Sequence, residues 1–296
     1  MGKIKQIRYF LESLAVRFGL GLFQIIGLKN ASNLASFLAR LIGKRISVHN
    51  LARKNIVQSL PKLSATEVDE VLDKMWDNLG RIVGEFVHIA KFTGKELMEY
   101  VCFDEESKKN IADIKRNFND GKGGIIFSAH IGNWEIGPKV FLESGLNVKT
   151  VYRPLNNEIV DKMTSEIRDV ELISKSSQGN KKIIEEIKKG NYVAILADQR
   201  VSDGILVPFF NRPALTTAAI ARLALKYDVP LIPARSIRIG REFKFLVQIE
   251  KPIEFQKTAN INDSILNLTT KVNQKLEEWI KEYPSQWFWV HNRWKQ

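Results

Sequence analysis

From about residue 100 onward, short runs rich in β-branched and aromatic residues alternate with longer segments that carry apolar residues at helical spacing. The predicted strands are Gly124–Ala129, Val148–Tyr152, Tyr192–Ala197, Leu231–Ser236 and Phe243–Glu250. Helices are predicted at 133–144, 156–170, 179–189, 214–226 and about 262–282. The alternation predicts an α/β fold, with a largely parallel or mixed sheet flanked by helices.

The composition supplies enough apolar material for such a fold. The chain has 296 residues, of which 44% are hydrophobic and 26% are charged, and these values exclude disordered and collagen-like proteins. A single cysteine, Cys102, excludes an internal disulfide and a cysteine-rich zinc site, and it indicates a reducing compartment. Residues 64–67 have the form of a capping box, so residues 64–91 are predicted to form a long helix.

The N-terminal fifth carries most of the positive charge. Residues 1–54 hold ten basic side chains and one acidic side chain, against a net charge of +12 for the whole chain. On a helical wheel, one face collects the apolar residues Ile7, Leu11, Leu14, Phe18, Leu22 and Ile25. The longest uncharged stretch, residues 18–28, has eleven residues, whereas a membrane-spanning helix needs about 20. We therefore predict an amphipathic helix that lies on an anionic membrane surface.

Two alternatives to this interpretation remain open: the helix spans the membrane, or its apolar face packs on the rest of the protein. A second apolar run, residues 31–42, extends the same surface. No zinc-finger spacing or other nucleic-acid module is present, so nucleic acid is not predicted as a partner. The simplest division of the chain is a basic, membrane-associating helical segment at 1–45 and one α/β domain at 46–296.

Polar residues stand directly after three of the predicted strands. His130 follows GIIFSA, Arg153 follows VKTVY, and Asp198 and Gln199 follow YVAILA. In open α/β sheets the ligand crevice lies beyond the carboxyl ends of the strands. These residues therefore mark a candidate active site.

His130 and Glu135 are the candidate acid–base pair of this site. They are five positions apart, so they can meet only if the chain bends, and Gly132 and Asn133 provide a bend and a helix N-cap. We expect the Glu135 carboxylate to accept a hydrogen bond from the imidazole, which leaves the other ring nitrogen as a base. Backbone amides at the start of the next helix would then support an oxyanion. A simple loop hydrogen bond is the alternative.

The sequence predicts neither a protein nucleophile nor a cofactor. GIIFSAHIG lacks the Gly-x-Ser-x-Gly elbow, and phosphate-loop and dinucleotide signatures are missing. A histidine base without a nucleophile suits direct activation of a substrate hydroxyl. No metal or redox cofactor is expected.

FSAHIGNWEIG, with its His-x4-Glu core, resembles the motif shared by glycerolipid acyltransferases and bacterial lipid A biosynthesis acyltransferases. Three further stretches point to the lipid A branch, the late lauroyl and myristoyl transferases: YRPLNN at 152–157, ADQR at 197–200 with the segment 207–234, and YPSQWFWVHNRWK at 283–295. The resemblance covers essentially the whole chain. Departures from the expected pattern are Ala197, where a proline is usual, the extra cation Arg200, and Ser285 in place of a glutamate.

The resemblance implies that His130 and Glu135 form the catalytic dyad, and it places Arg168 and Asp198 near them. Arg168 would bind a phosphate or orient Glu135, and Asp198 would position an arginine or the acceptor. Arg153 and Gln199 are candidate substrate-binding residues, although a surface ion pair would equally explain Arg153. Trp287, Trp289 and Trp294 belong either to a membrane interface or, as we prefer, to the core.

The implied reaction is transfer of a fatty acyl chain from acyl carrier protein to a hydroxyl of a lipid A precursor of the Kdo-lipid IVA type. The implied place is the cytoplasmic face of the bacterial inner membrane. A lysophospholipid or other glycolipid acyltransferase is the first alternative. A non-catalytic protein that binds anionic lipid is the second.

Overall fold

The computed structural model describes residues 3–295 as eleven α-helices, nine strands and a short 3-10 helix at Pro284–Gln286. The helices are α1 (Lys3–Ile26), α2 (Leu28–Gly43), α3 (Val48–Ser59), α4 (Ala65–Ile89), α5 (Gly94–Glu99), α6 (Glu105–Asn119), α7 (Ile136–Glu143), α8 (Glu158–Arg168), α9 (Ser177–Lys188), α10 (Ala219–Tyr227) and α11 (Ile261–Glu282). The strands are β1 (Val101–Cys102), β2 (Gly124–Ser128), β3 (Val148–Tyr152), β4 (Leu172–Ser174), β5 (Tyr192–Leu196), β6 (Ile205–Phe209), β7 (Arg212–Thr216), β8 (Leu231–Arg238) and β9 (Phe245–Ile249).

Seven of these strands form one sheet in the order β1-β9-β8-β2-β5-β3-β4. Strands β8, β2, β5, β3 and β4 run parallel, whereas β9 is antiparallel to β8. The predicted α/β fold with a mostly parallel sheet is therefore confirmed. Strand β2 lies at the centre of the sheet, between β5 and β8, and its end opens into the site described below.

Both faces of the sheet are covered, which explains why the strands read as continuous apolar runs. Successive residues of a strand point to opposite faces, so Ile125 and Phe127 belong to one core cluster and Ile126 to the other. The first cluster includes residues of α4, α10 and α11, and the second includes residues of α6 and α7. Two layers of helices thus enclose the sheet.

The predicted helix at 214–226 was wrong in its first part. Residues Arg212–Thr216 form β7, which pairs with β6 in a two-stranded antiparallel hairpin, and α10 begins only at Ala219. Phe210 and Asn211 make the two-residue turn with φ values of 51° and 57°, the left-handed backbone that such tight hairpins require. The short strands β1 and β4 were not predicted either.

Helix α2 packs closely against α4 through small residues on both helices. A Cβ atom placed on Gly80 would lie 2.4 Å from the Ala35 carbonyl oxygen, and one on Gly84 would lie 2.3 Å from that of Ala31. Such contact between two backbones is possible only where one helix has no side chain. The proposed boundary at residue 45 stays a prediction.

Helix α1 leaves its predicted apolar face in solvent. The exposed fractions of Ile7, Leu11, Leu14, Phe18, Leu22 and Ile25 range from 36% to 84%. The alternative in which this face packs on the rest of the protein is therefore wrong for the described residues. The opposite face holds the buried Tyr9, whose carbonyl oxygen accepts a hydrogen bond from Asn157 Nδ2 at 2.8 Å. By length and composition alone, the segment Ile4–Ile26 is also able to cross a membrane.

Candidate active site

The pairing of β2 with β5 brings His130 and Asp198 together. Ser128 of β2 lies beside Leu196 of β5 in this parallel pair. His130 comes two positions after Ser128, and Asp198 comes two positions after Leu196. The His130 backbone amide donates to Asp198 Oδ2 at 2.9 Å, and the imidazole Nδ1 lies 2.8 Å from Asp198 Oδ1. Strand ends that meet at one sheet edge thus produce a His–Asp pair from residues 68 positions apart.

Asp198 is almost fully buried and accepts a third hydrogen bond, from Trp287 Nε1 at 2.8 Å. Burial by itself would raise the pKa of this carboxyl group. The charge of His130 and the hydrogen bonds from His130 and Trp287 outweigh that effect and lower the pKa to about 2. The carboxylate is therefore ionised at neutral pH and suited to hold an imidazole in one tautomer.

The expected contact between Glu135 and His130 is not formed. Glu135 is instead the N-cap residue of α7, and its carboxylate makes a bidentate pair with Arg168, with Nε and Nη2 each 2.9 Å from one oxygen. Arg168 ends α8 and its planar guanidinium matches a carboxylate. Asp198, from the neighbouring strand, takes the position beside His130 that was expected for Glu135.

The other imidazole nitrogen faces a region lined by aromatic and amide side chains. Gln199 Nε2 lies 3.4 Å from His130 Nε2. The rings of Trp134 and Phe288 lie with their centroids 5.1 Å and 6.0 Å from that of His130. His130 therefore has one nitrogen fixed by Asp198 and the other beside a donor and two apolar walls.

The C-terminal segment, residues 284–295, packs directly on this loop. Phe288 donates its amide hydrogen to the His130 carbonyl at 3.0 Å, and Gln286 accepts one from Gly132 at 3.0 Å. Trp287 and Trp289 are buried, as preferred from the sequence, and Trp294 packs partly buried against the same cluster. The sequence did not predict that this segment contacts the loop of His130, although its several tryptophans indicated burial.

The amino-acid sequence also identifies the family of the chain. Residues 2–296 match the sequence model of the family described as bacterial lipid A biosynthesis acyltransferase. The chain belongs to this family. The expected resemblance is thereby confirmed, and membership supports acyl transfer in lipid A synthesis as the activity.

Three curated relatives of the family align with most of the chain at low identity. A lipid A biosynthesis acyltransferase of Haemophilus influenzae is 20% identical over 81% of this chain and 73% of its own length. A lipid A biosynthesis palmitoleoyltransferase of Escherichia coli is 23% identical over 83% of this chain and 78% of its own length. A Shigella flexneri lipid A biosynthesis acyltransferase matches to the same extent.

Most amides at the start of α7 are already engaged within the protein. The amide of Gly132 donates to the Gln286 carbonyl oxygen, and that of Asn133 donates to the Ser236 carbonyl oxygen. The amides of Glu135 and Ile136 both donate to Asn133, to its side-chain Oδ1 and its carbonyl oxygen respectively. The expectation that these amides support an oxyanion therefore does not hold for these four. The side-chain amide of Gln199 is the better-placed donor beside His130.

Arg153 lies beyond β3 with its side chain exposed, and no carboxylate of residues 3–295 lies within 4.0 Å of it. Loss of water around Lys175 lowers the pKa of that ammonium group, and the Arg153 charge acts in the same direction. The nearby charge of Asp203 has the opposite effect on Lys175. The surface ion pair considered for Arg153 is absent from the described residues.

His291 is a site neighbour that the sequence did not single out. Its removal from water lowers the pKa of its imidazole to about 4, and the nearby His130, Arg293 and Arg153 side chains add to this against the opposite effect of Asp198. The ring is therefore neutral at physiological pH. Within residues 3–295, no three His, Cys, Asp or Glu side chains are grouped so as to hold a metal ion.

Proposed function

We propose that this protein transfers a fatty acyl chain from acyl carrier protein to a hydroxyl group of a lipid A precursor of the Kdo-lipid IVA type. The observation that carries the proposal is the His130–Asp198 pair at the carboxyl edge of β2 and β5, in a chain of the lipid A acyltransferase family. A histidine with one nitrogen held by an ionised carboxylate is suited to general base catalysis on a hydroxyl.

In the proposed reaction, His130 Nε2 takes the proton of the acceptor hydroxyl while its oxygen attacks the carbonyl carbon of the donor thioester. Asp198 keeps Nδ1 protonated and stabilises the imidazolium that forms. Collapse of the tetrahedral intermediate breaks the carbon–sulfur bond, and the departing thiolate receives the proton from His130. The products are an ester and a free thiol, so the steps balance without a cofactor.

Gln199, Glu135 and Arg168 serve the same reaction in this proposal. Gln199 Nε2, beside His130 Nε2, donates to the oxyanion of the intermediate or to the acceptor hydroxyl. Glu135, predicted as the second member of the dyad, would act by holding Arg168 through their bidentate pair, which joins the start of α7 to the end of α8. Because Glu135 occupies Nε and Nη2, Arg168 meets the substrate through Nη1.

The cations around the site suit the charge of both substrates. Arg153, exposed beyond the end of β3, would bind a phosphate group of the acceptor. The basic N-terminal fifth would attract acyl carrier protein, an acidic donor, and the anionic surface of the inner membrane on its cytoplasmic face. The exposed apolar face of α1 supports attachment to that surface.

The test is mass spectrometry of a tetra-acylated, bisphosphorylated lipid A precursor after incubation with detergent-solubilised protein. Lauroyl, myristoyl and palmitoleoyl thioesters of acyl carrier protein are supplied together, and a known transferase confirms the assay. We expect a mass increase of one chain, absent in His130→Ala. A folded His130→Ala variant with near-normal turnover would remove His130 from the mechanism. Transfer only to lysophospholipid would favour the first alternative acceptor.

A further inference from the structure

A second buried polar cluster joins the catalytic loop, residues 130–135, to helices α2 and α4. Its centre is the fully buried Glu85 of α4, which pairs with Arg238 of β8 through Nη1 at 2.8 Å and Nη2 at 2.7 Å. Ser32 Oγ of α2 donates to one carboxylate oxygen at 2.8 Å, and Asn133 Nδ2 of the loop donates to the other at 3.0 Å. Each Glu85 oxygen therefore accepts two hydrogen bonds.

Asn78, two turns earlier on α4, makes the second connection to the loop. Its Nδ2 donates to the Gly132 carbonyl oxygen at 2.8 Å, while its Oδ1 accepts from Arg238 Nε at 3.0 Å. The carboxamide is buried, so both of its groups depend on these protein partners. Arg238, Asn78 and Glu85 thus form one connected unit that holds Gly132 and Asn133.

A buried ion pair of this kind is weak evidence for stability, because the cost of removing both charges from water can offset their attraction. Hydrogen bonds with fixed directions do, however, define where the bonded groups lie. Here two bonds end on the loop between His130 and Glu135, and one ends on α2. The arrangement is therefore better suited to positioning than to stability alone.

We propose that Ser32, Asn78 and Glu85 are positioning residues for the catalytic loop, so that α2 and α4 form part of the active-site framework. The inference rests on the proposed function, because the loop matters for turnover only if His130 is the base. It also predicts that these contacts slow hydrogen exchange in the loop, which is measurable without any substrate.

Asn78→Ala is the first test, with Asn110→Ala as its matched control. Both asparagines are buried and donate Nδ2 to a backbone carbonyl oxygen, that of Ile249 at 2.7 Å for Asn110. Both variants should lose similar thermal stability. Only Asn78→Ala should lower kcat, by about tenfold to a hundredfold, with KM for donor and acceptor within about twofold, because a displaced base slows chemistry without removing substrate contacts.

Ser32→Ala, compared with Ser36→Ala, keeps the test open if Asn78→Ala does not fold. Both serines are buried on α2 and donate to a carboxylate of α4, Glu85 at 2.8 Å and Asp77 at 2.6 Å. Asp77 has no hydrogen bond to the catalytic loop within residues 3–295. We expect Ser32→Ala to lower kcat severalfold and Ser36→Ala to leave it unchanged.

Hydrogen exchange of the peptide that contains residues 128–137 separates the inference from the proposed function. Loss of the Asn78 or Ser32 contact should speed exchange in this peptide, whereas the Asn110 and Ser36 variants should match the unmodified protein. Unchanged exchange and kcat in both test variants relative to their controls would overturn the positioning role. Faster exchange in the test variants, together with no acyl transfer by the unmodified protein, would support the positioning role and reject the proposed function.

Discussion

The carboxylate of Asp198 receives three hydrogen bonds from two residues, the amide and imidazole of His130 and the indole of Trp287. All three donors favour the ionised form, in a place where burial opposes it. The fold therefore stabilises the ionised form of the Asp198 carboxylate.

Stability should depend on pH through Asp198. Its pKa in the fold, about 2, lies below the value of about 3.9 in an unfolded chain. The ionised group therefore stabilises the fold above about pH 4, and this contribution, about 2 kcal/mol, is lost as pH falls toward about 2. The free energies of unfolding of the unmodified protein and of Asp198→Asn are measured in urea at several pH values. The difference between them should shrink by that amount as the pH falls. A difference that stays constant would contradict the prediction.

Trp287→Phe should lower kcat about tenfold while retaining the fold, because it removes one donor to Asp198 and leaves the ring volume almost filled. Trp279→Phe is the matched control, since Trp279 is equally buried and donates Nε1 to Glu250 at 2.6 Å, away from His130. Both variants should lose about 1–3 kcal/mol of stability. Steady-state kinetics and thermal unfolding provide the measurements. Equal kcat in the two variants would remove Trp287 from the support of the site.

At the scale of elements, the catalytic loop depends on contacts with β8 and the C-terminal segment. Asn133 donates its amide hydrogen to Ser236 of β8 at 3.2 Å, and Gly132 donates its own to Gln286. Gly132 has a φ of 59°, and a Cβ atom there would lie 1.7 Å from the Ser236 carbonyl oxygen. The turn after His130 therefore requires glycine for two separate reasons.

Gly132→Ala should abolish most of the activity and cost at least about 3 kcal/mol of stability, because the turn must move away from β8. Gly240→Ala is the control, with a φ of 64° and open space around the added Cβ. It should cost only about 1 kcal/mol, the strain of a left-handed alanine. Acyl-transfer rate and urea unfolding are measured for both. Similar losses in the two variants would show that the contact with Ser236 is unimportant.

At the scale of the whole molecule, the N-terminal helices combine an exposed apolar face with a face that packs on the rest of the protein. The face of α1 that carries Leu11 and Phe18 is exposed, whereas the face with Tyr9 contacts Asn157, the N-cap residue of α8. Arg168 ends the same helix α8 and pairs with Glu135, so α1 is connected to the candidate site through α8. Helix α2 is connected to it through Ser32 and Glu85. Attachment of the exposed α1 face to lipid, as we propose, would place the candidate site near the membrane.

Leu11→Glu combined with Phe18→Glu should weaken binding to vesicles that contain anionic lipid by at least about tenfold, because two large apolar side chains no longer enter the lipid. Leu206→Glu combined with Ile261→Glu is the control, since these residues are also exposed but lie outside the N-terminal helices. Vesicle flotation measures both. Equal binding of the two double variants would show that the α1 face is not the attachment surface.

Local patterns were sufficient for much of the fold. The capping box at Ser64 begins α4 as predicted, and all five predicted strands are present within two residues of their expected starts. The hairpin of β6 and β7 was missed because its turn uses Phe210 and Asn211, where the usual signal is a glycine. Its turn is instead supported by tertiary contacts, including the Phe210 amide hydrogen bond to Glu277 at 2.7 Å.

By itself, the amino-acid sequence determined the α/β class, the family, the amphipathic start and the set of polar residues at the strand ends. These features depend on residue type and on spacing along one segment, which hydrophobic burial converts directly into structure. Only the tertiary structure decided which polar residues pair. Strand order places Asp198 beside His130 and leaves Glu135 to Arg168, because partners are chosen by distance in space among residues that are far apart in the chain.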